Sequence, residues 1–396
     1  MNKTPNSLRK HIGIFGDTNS GKSALFNHII NQELALVSDK EGTTTDPVKK
    51  AMELIGFGPV VFIDTAGTSD NTELGFLRNK KTMEVLGQVD LALLVCDIKS
   101  FSEKAFVELK NKLKENNTDY IIVITKSDLL DEAEINKANS LFENPIFVSV
   151  NSEETVDKLK SIIIERLKKT EKEPGLLDGL AKKNDNIVLV IPTDSEAPEG
   201  RLILPQVQTI RACLDVGAFC HIANEENLSD LLKTVKADLV ITDSQAFKRV
   251  NEIVANDIDL TSFSMLLARQ KGEFRLLFKG AEAIDALCDG DFVLISEVCT
   301  HNTSHEDIAK VKIPMLLKKK TGKSLNFEFS SGFSFPEDLS KYSLIIHCGG
   351  CMITKKAMCQ RIKLVKEANV PVTNFGVALS YLTGAYQRQE FLFEKE

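Results

Sequence analysis

Eight consecutive residues, Gly16-Asp17-Thr18-Asn19-Ser20-Gly21-Lys22-Ser23, have the types and spacing to bind phosphate. In the pattern G-x-x-x-x-G-K-S, the glycines let backbone N–H groups turn inward around phosphate oxygens. The lysine ammonium reaches the β- and γ-phosphates, and the serine hydroxyl can ligate Mg²⁺. Such a loop needs a strand before it and a helix after it. Residues 11–15 read as the strand and 24–30 as the helix. Gly16, Asn19, Ser20, Gly21, Lys22, Ser23 and Ala24 are therefore expected to line a nucleoside triphosphate. A second G-K-S, in Thr321-Gly322-Lys323-Ser324, fails the same test. Five positions before Gly322 stands Leu317 instead of glycine, so that loop could not close on phosphate.

Further parts follow in chain order. Gly42-Thr43-Thr44-Thr45-Asp46 is a polar stretch, and Thr44 is the candidate switch ligand of Mg²⁺ beside Ser23. Residues 60–63 read as an apolar strand that ends at Asp64-Thr65-Ala66-Gly67. There Asp64 would hold Mg²⁺ through water and the Gly67 N–H would sense the γ-phosphate. Lys22, Thr44 and Gly67 are thus the candidate catalytic residues. Residues 90–96, 120–124 and 145–149 read as further buried strands. Thr125-Lys126-Ser127-Asp128 follows the second, and Ser149-Val150-Asn151 closes the third.

This order of motifs resembles the translation-factor-related GTPases, above all the Era and tRNA-modification branch. The resemblance implies a Ras-like GTPase domain over residues 1–170. It implies GTP as the substrate, with Thr125, Lys126, Asp128, Ser149, Val150 and Asn151 around the base and Asp128 reading two guanine N–H groups. Thr125 stands where that family has asparagine and is expected to weaken one hydrogen bond that braces the loops. The residue after Gly67 is Thr68, not a glutamine that orients the attacking water, so unaided hydrolysis is expected to be slow. Asn19 occupies the position of a K⁺-holding asparagine, and potassium stimulation is the corresponding expectation; equally, Asn19 could simply satisfy loop backbone groups.

A second set of reactive residues lies near the other end of the chain. Cys299-Thr300-His301 follows an apolar run at 292–298, and His347-Cys348-Gly349-Gly350-Cys351 follows another at 344–346. Ligands of open α/β sheets bind beyond the carboxyl ends of the strands. Two such loops would bring together Cys299, Cys348 and Cys351 with His301 and His347. Two residues between thiolates let one tight turn offer two ligands to one metal centre, and glycines permit that turn. An iron–sulfur centre, a structural zinc site and buried core thiols all remain open on this chemistry. Cys359, inside the following helix, is expected to pack.

The elements that must position these residues fall into a coarse plan. A length of 396 residues suggests two or three domains. After a charged helix at 153–169, the segment to Gly175 reads as a linker. Strands at 187–191, 218–222 and 238–242 alternate with helices at 205–215, 228–235 and 244–254, a small α/β domain over 176–265. Asp194, Glu196 and Glu199 read as a solvated loop turning at Pro198, or as a partner contact. A third α/β domain spans 266–396, with strands at 276–278, 292–298, 344–346 and 370–374 and helices at 355–368 and 377–386. The lysine run 318–320 reads as a solvated loop.

Charge and composition limit the functions available. A net charge of −7 argues against a nucleic-acid partner, which would select a basic stripe. No apolar run is long enough to span a membrane, and the first ten residues form no apolar signal region, so a cytoplasmic location is expected. In such a compartment eight cysteines suggest thiols or metal ligands before disulfides.

The whole series, a Ras-like GTPase domain, an α/β domain and a C-x-H…H-C-x-x-C domain, resembles the FeFe-hydrogenase maturation GTPases, the HydF family. Ala197-Pro198-Glu199-Gly200-Arg201-Leu202-Ile203-Leu204-Pro205-Gln206 and Ala268-Arg269-Gln270-Lys271-Gly272 also look like that family. The resemblance implies a homodimer formed through the middle domain and a 4Fe–4S cluster bound by Cys299, Cys348 and Cys351. It implies a scaffold that accepts the di-iron precursor of the hydrogenase active site, built with two radical-SAM maturases, and passes it to the apo-hydrogenase. A rival class is a GTPase of tRNA modification or ribosome assembly with structural zinc in its C-terminal domain.

Overall fold

β1 (Lys10–Phe15), α1 (Lys22–Asn31), β2 (Val48–Leu54), β3 (Gly58–Asp64) and β4 (Leu91–Cys96) open the chain. α2 (Glu103–Glu115), β5 (Asp119–Ile124), α3 (Glu132–Leu141), β6 (Ile146–Phe147) and α4 (Glu153–Lys169) follow. They lie in the first of two compact units, Met1–Lys172 and Glu173–Glu396, of a computed structural model. The structure describes residues 4–31, 47–67, 81–169, 174–192, 202–298, 308–332, 335–389 and 392.

The first unit has one six-stranded sheet in the order β2-β3-β1-β4-β5-β6. Only β2 runs antiparallel, against β3. The others pair in parallel. Every residue of β4 is buried, as a strand covered by helices on both faces requires. The two-residue period of the strands sends Ile12, Ile14 and Phe62 into one apolar layer with Leu25 and Leu159. It sends Phe15, Val61 and Ile63 into the opposite layer with Leu109 and Leu113. α4 buries Val156, Leu159, Ile163 and Leu167, a stripe at helical spacing that explains why so charged a segment folds. α3 begins at a capping box, with the Asp131 carboxylate accepting from Glu134 N–H at 2.8 Å.

The second unit contains β7 (Asn186–Val190), α5 (Leu204–Val216), β8 (Phe219–Ala223), α6 (Leu228–Thr234), β9 (Leu239–Thr242), α7 (Phe247–Ile253), β10 (Asp259–Ser262), α8 (Phe263–Gln270) and α9 (Phe274–Glu282). It continues with β11 (Phe292–Glu297), α10 (Ile313–Thr321), β12 (Asn326–Ser331), β13 (Leu344–His347), α11 (Lys355–Glu367), β14 (Val372–Asn374) and α12 (Phe375–Thr383). Two four-stranded sheets form, β10-β9-β7-β8 and β12-β11-β13-β14. All their pairings are parallel. One apolar core runs through both. It joins Ile187, Leu189 and Ile241 to Val293, Ile295 and Ile345, with Met265, Leu266 and Leu267 of α8 in the same cluster.

Two local expectations are corrected. Residues 276–278, expected as a strand, belong to helix α9. Its buried residues Phe274, Leu277, Phe278 and Ala281 recur at helical spacing, which a three-residue apolar run does not reveal. The lysine run 318–320, expected as a loop, forms the last turn of α10, where cations complement the helix dipole. Strands β2, β10 and β12 and helices α2, α3, α8 and α10 add to the expected elements.

Candidate functional site

The nucleotide side of the first unit is assembled at the carboxyl ends of β1, β3, β4 and β5. After Phe15 the chain turns through Gly16–Gly21, and Leu25 N–H donates to Gly21 O at 2.9 Å to start α1. Asn19 sits in the left-handed region, φ 64°, a conformation asparagine tolerates. Lys22 is buried, and its ammonium donates to Asp17 O at 2.6 Å, inside the loop. Burial pushes this ammonium below its usual range, against the pull of Asp64 and Asp17. Ser23 Oγ donates to Asp64 Oδ2 at 2.7 Å, so the two expected Mg²⁺ residues meet. The other oxygen, Asp64 Oδ1, is enclosed and has no hydrogen-bond partner. Burial pushes the Asp64 carboxyl up, partly offset by Ser23 and Lys22. A carboxylate with one oxygen unsatisfied next to a hydroxyl is a donor set suited to a hard divalent cation. Gly67 lies over the loop. A Cβ placed there would stand 2.4 Å from Thr18 Oγ1 and 2.6 Å from Thr18 N. Thr44 and Thr68 lie outside the described residues.

The base side joins the same loop. Thr125 N–H donates to Cys96 O at 2.9 Å, and Thr125 Oγ1 lies 2.6 Å from Ser20 O and 3.2 Å from Cys96 O. Cys96 O already has the amide, so the hydroxyl braces Ser20 O. The Thr125 hydroxyl thus links the base-side loop to the phosphate loop. Lys126, with φ 55°, reaches Asn19 O at 3.1 Å and Asp97 Oδ2 at 2.7 Å. Asp128 is exposed, and hydrogen bonds from Ser149 and Asn151 hold its carboxyl below the usual range. Asn151 Nδ2 donates to Asp128 Oδ2 at 3.0 Å, and Ser149 Oγ accepts from Asn151 N–H at 3.1 Å, across Val150. Asp97 was not singled out from the sequence. Its signal was a carboxylate directly after a wholly apolar strand.

The second cluster forms where β13 and β11 end. Cys348 N–H donates to Ser296 O at 2.8 Å, continuing the ladder, and Val298 N–H donates to Cys348 Sγ at 3.3 Å. Cys348 is buried and Cys351 half-buried. Between them Gly350 takes φ 61°, a left-handed conformation that favours glycine, and a Cβ there would stand 2.4 Å from Met358 Cε, so any other residue would have to displace that side chain. His347 is buried with both ring nitrogens engaged. Nδ1 faces Cys348 O at 2.6 Å, and Nε2 accepts from Arg361 Nε at 2.6 Å. This fixes the Nδ1–H tautomer. Arg361 also donates to Ser296 Oγ at 2.7 Å and stacks 3.9 Å from the Phe335 ring centroid. Burial lowers its guanidinium to about 10, and Cys348 opposes that shift. His347 would have to give up Arg361 to ligate a metal. Cys299 and His301 lie outside the described residues, and among those described no three His, Cys, Asp or Glu side chains converge as a metal site. Cys359 Sγ donates to Lys271 O at 3.5 Å. The acidic stretch 194–199 also lies outside the described residues. No helix among them is long and apolar enough to cross a membrane.

Comparison with known proteins adds to this geometry. Residues 11–126 match the family model described as 50S ribosome-binding GTPase. The tRNA modification GTPase MnmE of Mesoplasma florum is 34% identical over 137 residues, 34% of this chain and 30% of that protein. GTPase Der of Thermotoga petrophila is 33% identical over 177 residues, 42% of this chain and 40% of that protein. The chain thus spans about a third of the length of the curated relatives it matches. Among solved structures, Era of Aquifex aeolicus bound to GDP and AlF4⁻ is 18% identical. That match covers 61% of this chain and 97% of that one, with a TM-score of 0.34. Residues 176–272 match the hydrogen maturase F dimerization domain, and residues 275–390 the hydrogen maturase F tetramerization domain. The sequence reading anticipated a dimer and not a tetramerization domain around the cysteines. These two maturase models together take in more than half of the chain, and they follow directly on the GTPase motifs; the chain belongs to the hydrogen maturase F family, with a P-loop GTPase domain related to that of MnmE.

Proposed function

We propose that this protein is a GTP-hydrolysing scaffold in FeFe-hydrogenase maturation, which holds a 4Fe–4S cluster, accepts the di-iron precursor of the hydrogenase active site and transfers it to the apo-hydrogenase. Radical-SAM maturases and the apo-hydrogenase are its partners. GTP hydrolysis regulates these contacts and does none of the iron chemistry.

In the first unit Lys22 exchanges Asp17 O for the β- and γ-phosphates. Ser23, Thr44 and Asp64 serve Mg²⁺, and the Gly67 N–H reports the γ-phosphate. Asp128 accepts the two guanine N–H groups, backed by Ser149 and Asn151. Turnover is slow because Thr68 cannot orient water as a glutamine would. Asn19 beside the phosphates holds K⁺; hydrolysis rates equal in Na⁺ and K⁺ buffers would remove that role.

In the second unit the thiolates of Cys348 and Cys351, with Cys299 next in sequence to Val298, hold the cluster, and His301 and His347 stand near it. Such a cluster supplies an iron site to which a further metal group can attach. The observation that carries this reading is the Val298 N–H at 3.3 Å from Cys348 Sγ, a main-chain donor of the kind that stabilises cluster sulfur. Self-association through 176–272 is supported by the edge strand β8, where Phe219 and Ile222 are 56% and 55% exposed.

The test is anaerobic iron and sulfide analysis, with EPR of the reduced protein, on wild type and Cys348→Ala. About four irons and four sulfides per chain are expected, lost in the variant. One zinc and no sulfide would replace this reading with a structural metal in a translation-type GTPase.

A further inference from the structure

The turn between the two described thiols is held from outside by one lysine. Lys271 follows the last turn of α8, its N–H bonded to Leu267 O at 3.0 Å. It is 7% exposed. Its ammonium crosses to the cysteine turn, donating to Gly350 O and, at 2.6 Å, to Ile353 O. Gly350 O also accepts from Ile353 N–H at 3.1 Å, so both ends of the tight turn behind Cys351 meet at this ammonium. On the other side, Cys359 Sγ donates to the main-chain Lys271 O at 3.5 Å. Arg361, on α11 with Cys359, is a second buried cation near Cys348.

Burying an ammonium is costly even when carbonyls accept its protons, and a neutral donor could close the same turn. A cation is favoured if what occupies the turn is anionic, as thiolates and a thiolate-ligated cluster are. Lys271 also has a particular origin. It lies within the part matched to the dimerization domain, 176–272, while the turn lies within 275–390. α8 is buried in the core shared by both sheets.

We propose that Lys271 is a positioning residue for the Cys348–Cys351 turn, and that through it the last helix of the dimerization part sets how tightly the cluster is held and at what potential it is reduced. This rests on the cluster reading above. A positive charge at Gly350 O favours the more negative, reduced cluster. Without it, reduction becomes harder and the turn opens more readily.

The test uses the full chain, reconstituted anaerobically, as wild type, Lys271→Met, Lys271→Gln and Lys271→Arg. Three quantities are measured: iron and sulfide per chain, the rate of iron loss to a chelator, and the midpoint potential by EPR-monitored titration. Lys271→Met is expected to lose iron roughly tenfold faster, with a tenfold change in the one-electron equilibrium, a fall of about 59 mV. Lys271→Arg restores both towards wild type. Should Lys271→Met not fold, Lys271→Gln keeps a donor and drops the charge, and its potential still falls. Wild-type rate and potential in the folded neutral variants would overturn the role of Lys271 and leave the cluster intact. A wild-type chain that takes up no iron and sulfide would overturn the cluster reading, and this inference with it.

Discussion

Replacing Thr125 by valine keeps the shape of the side chain and removes one hydroxyl. That hydroxyl is the brace between the base-side loop and the phosphate loop, at 2.6 Å from Ser20 O. Both residues are buried, Ser20 at 2% and Thr125 at 4% exposure, so water does not replace the lost donor. A buried carbonyl left without a partner costs about 1–3 kcal/mol. Per kcal/mol, a unit of this size loses roughly 2–4 °C in Tm, so a fall of about 2–12 °C is expected. The transition to watch is the one that GDP shifts upward, because a ligand stabilises only the unit that binds it. GDP affinity should fall as well, since Ser20 is part of the loop that must meet the phosphates; 1–3 kcal/mol corresponds to roughly 5- to 150-fold. Thr125→Ser keeps the donor and should stay near wild type. The reasoning is refuted if Thr125→Val shifts neither the GDP-responsive transition nor the affinity, measured by displacement of a fluorescent GDP.

The Asp128 carboxylate can accept two guanine N–H groups, whereas an asparagine offers one acceptor and a donor; Asp128→Asn should weaken GTP binding at least tenfold and favour xanthosine triphosphate, read by competition titration. Burial holds His11 below its usual 6.5, its Nε2–H goes to Asn6 O at 3.0 Å, and its enclosed Nδ1 has no partner for a second proton. The unfolded chain therefore binds that proton first, so the stability is present above about pH 6.5 and is lost as pH falls through it towards the lowered native value; the GDP-responsive Tm should drop from pH 7.5 to 5.5, and less so in His11→Gln. Phe219 on the edge strand β8 is 56% exposed, and Phe219→Glu should shift the chain to smaller species in light scattering while leaving GTP hydrolysis unchanged.

Much of the nucleotide side was legible because its chemistry is local. Gly16 to Ser23 is contiguous, and strand, loop and helix are read from neighbouring residues. The brace from Thr125 to Ser20 spans 105 positions, and no periodicity in the sequence announces it. What Asp97 pairs with was not legible for the same reason, since its partner Lys126 lies on a different strand's loop. At the cysteines, the sequence revealed the thiols and the glycines but not what holds them. Lys271 contacts the turn across 82 positions, and Arg361 contacts His347 from the following helix. Helix α9 was misread because Leu276-Leu277-Phe278 is apolar at any period; only Phe274 and Ala281, three or four residues away, show the helical stripe.

The phosphate loop and the cysteine turn use the same building plan with one difference that bears on function. Each follows the carboxyl end of a parallel strand, β1 or β13, and each has a buried lysine donating to a loop carbonyl at 2.6 Å. Lys22 belongs to the loop's own helix and reaches back five residues to Asp17 O. It can leave that carbonyl for a phosphate without any element moving, which suits a site that exchanges GTP for GDP. Lys271 reaches its carbonyls from α8, and its own carbonyl is tied to Cys359. The backbone that carries Lys271 follows α8, whose apolar residues are buried in the core that is continuous through both sheets of the second unit. The two lysines thus differ in where they are anchored, Lys22 in the helix of the loop it serves and Lys271 beside a helix outside the cysteine turn.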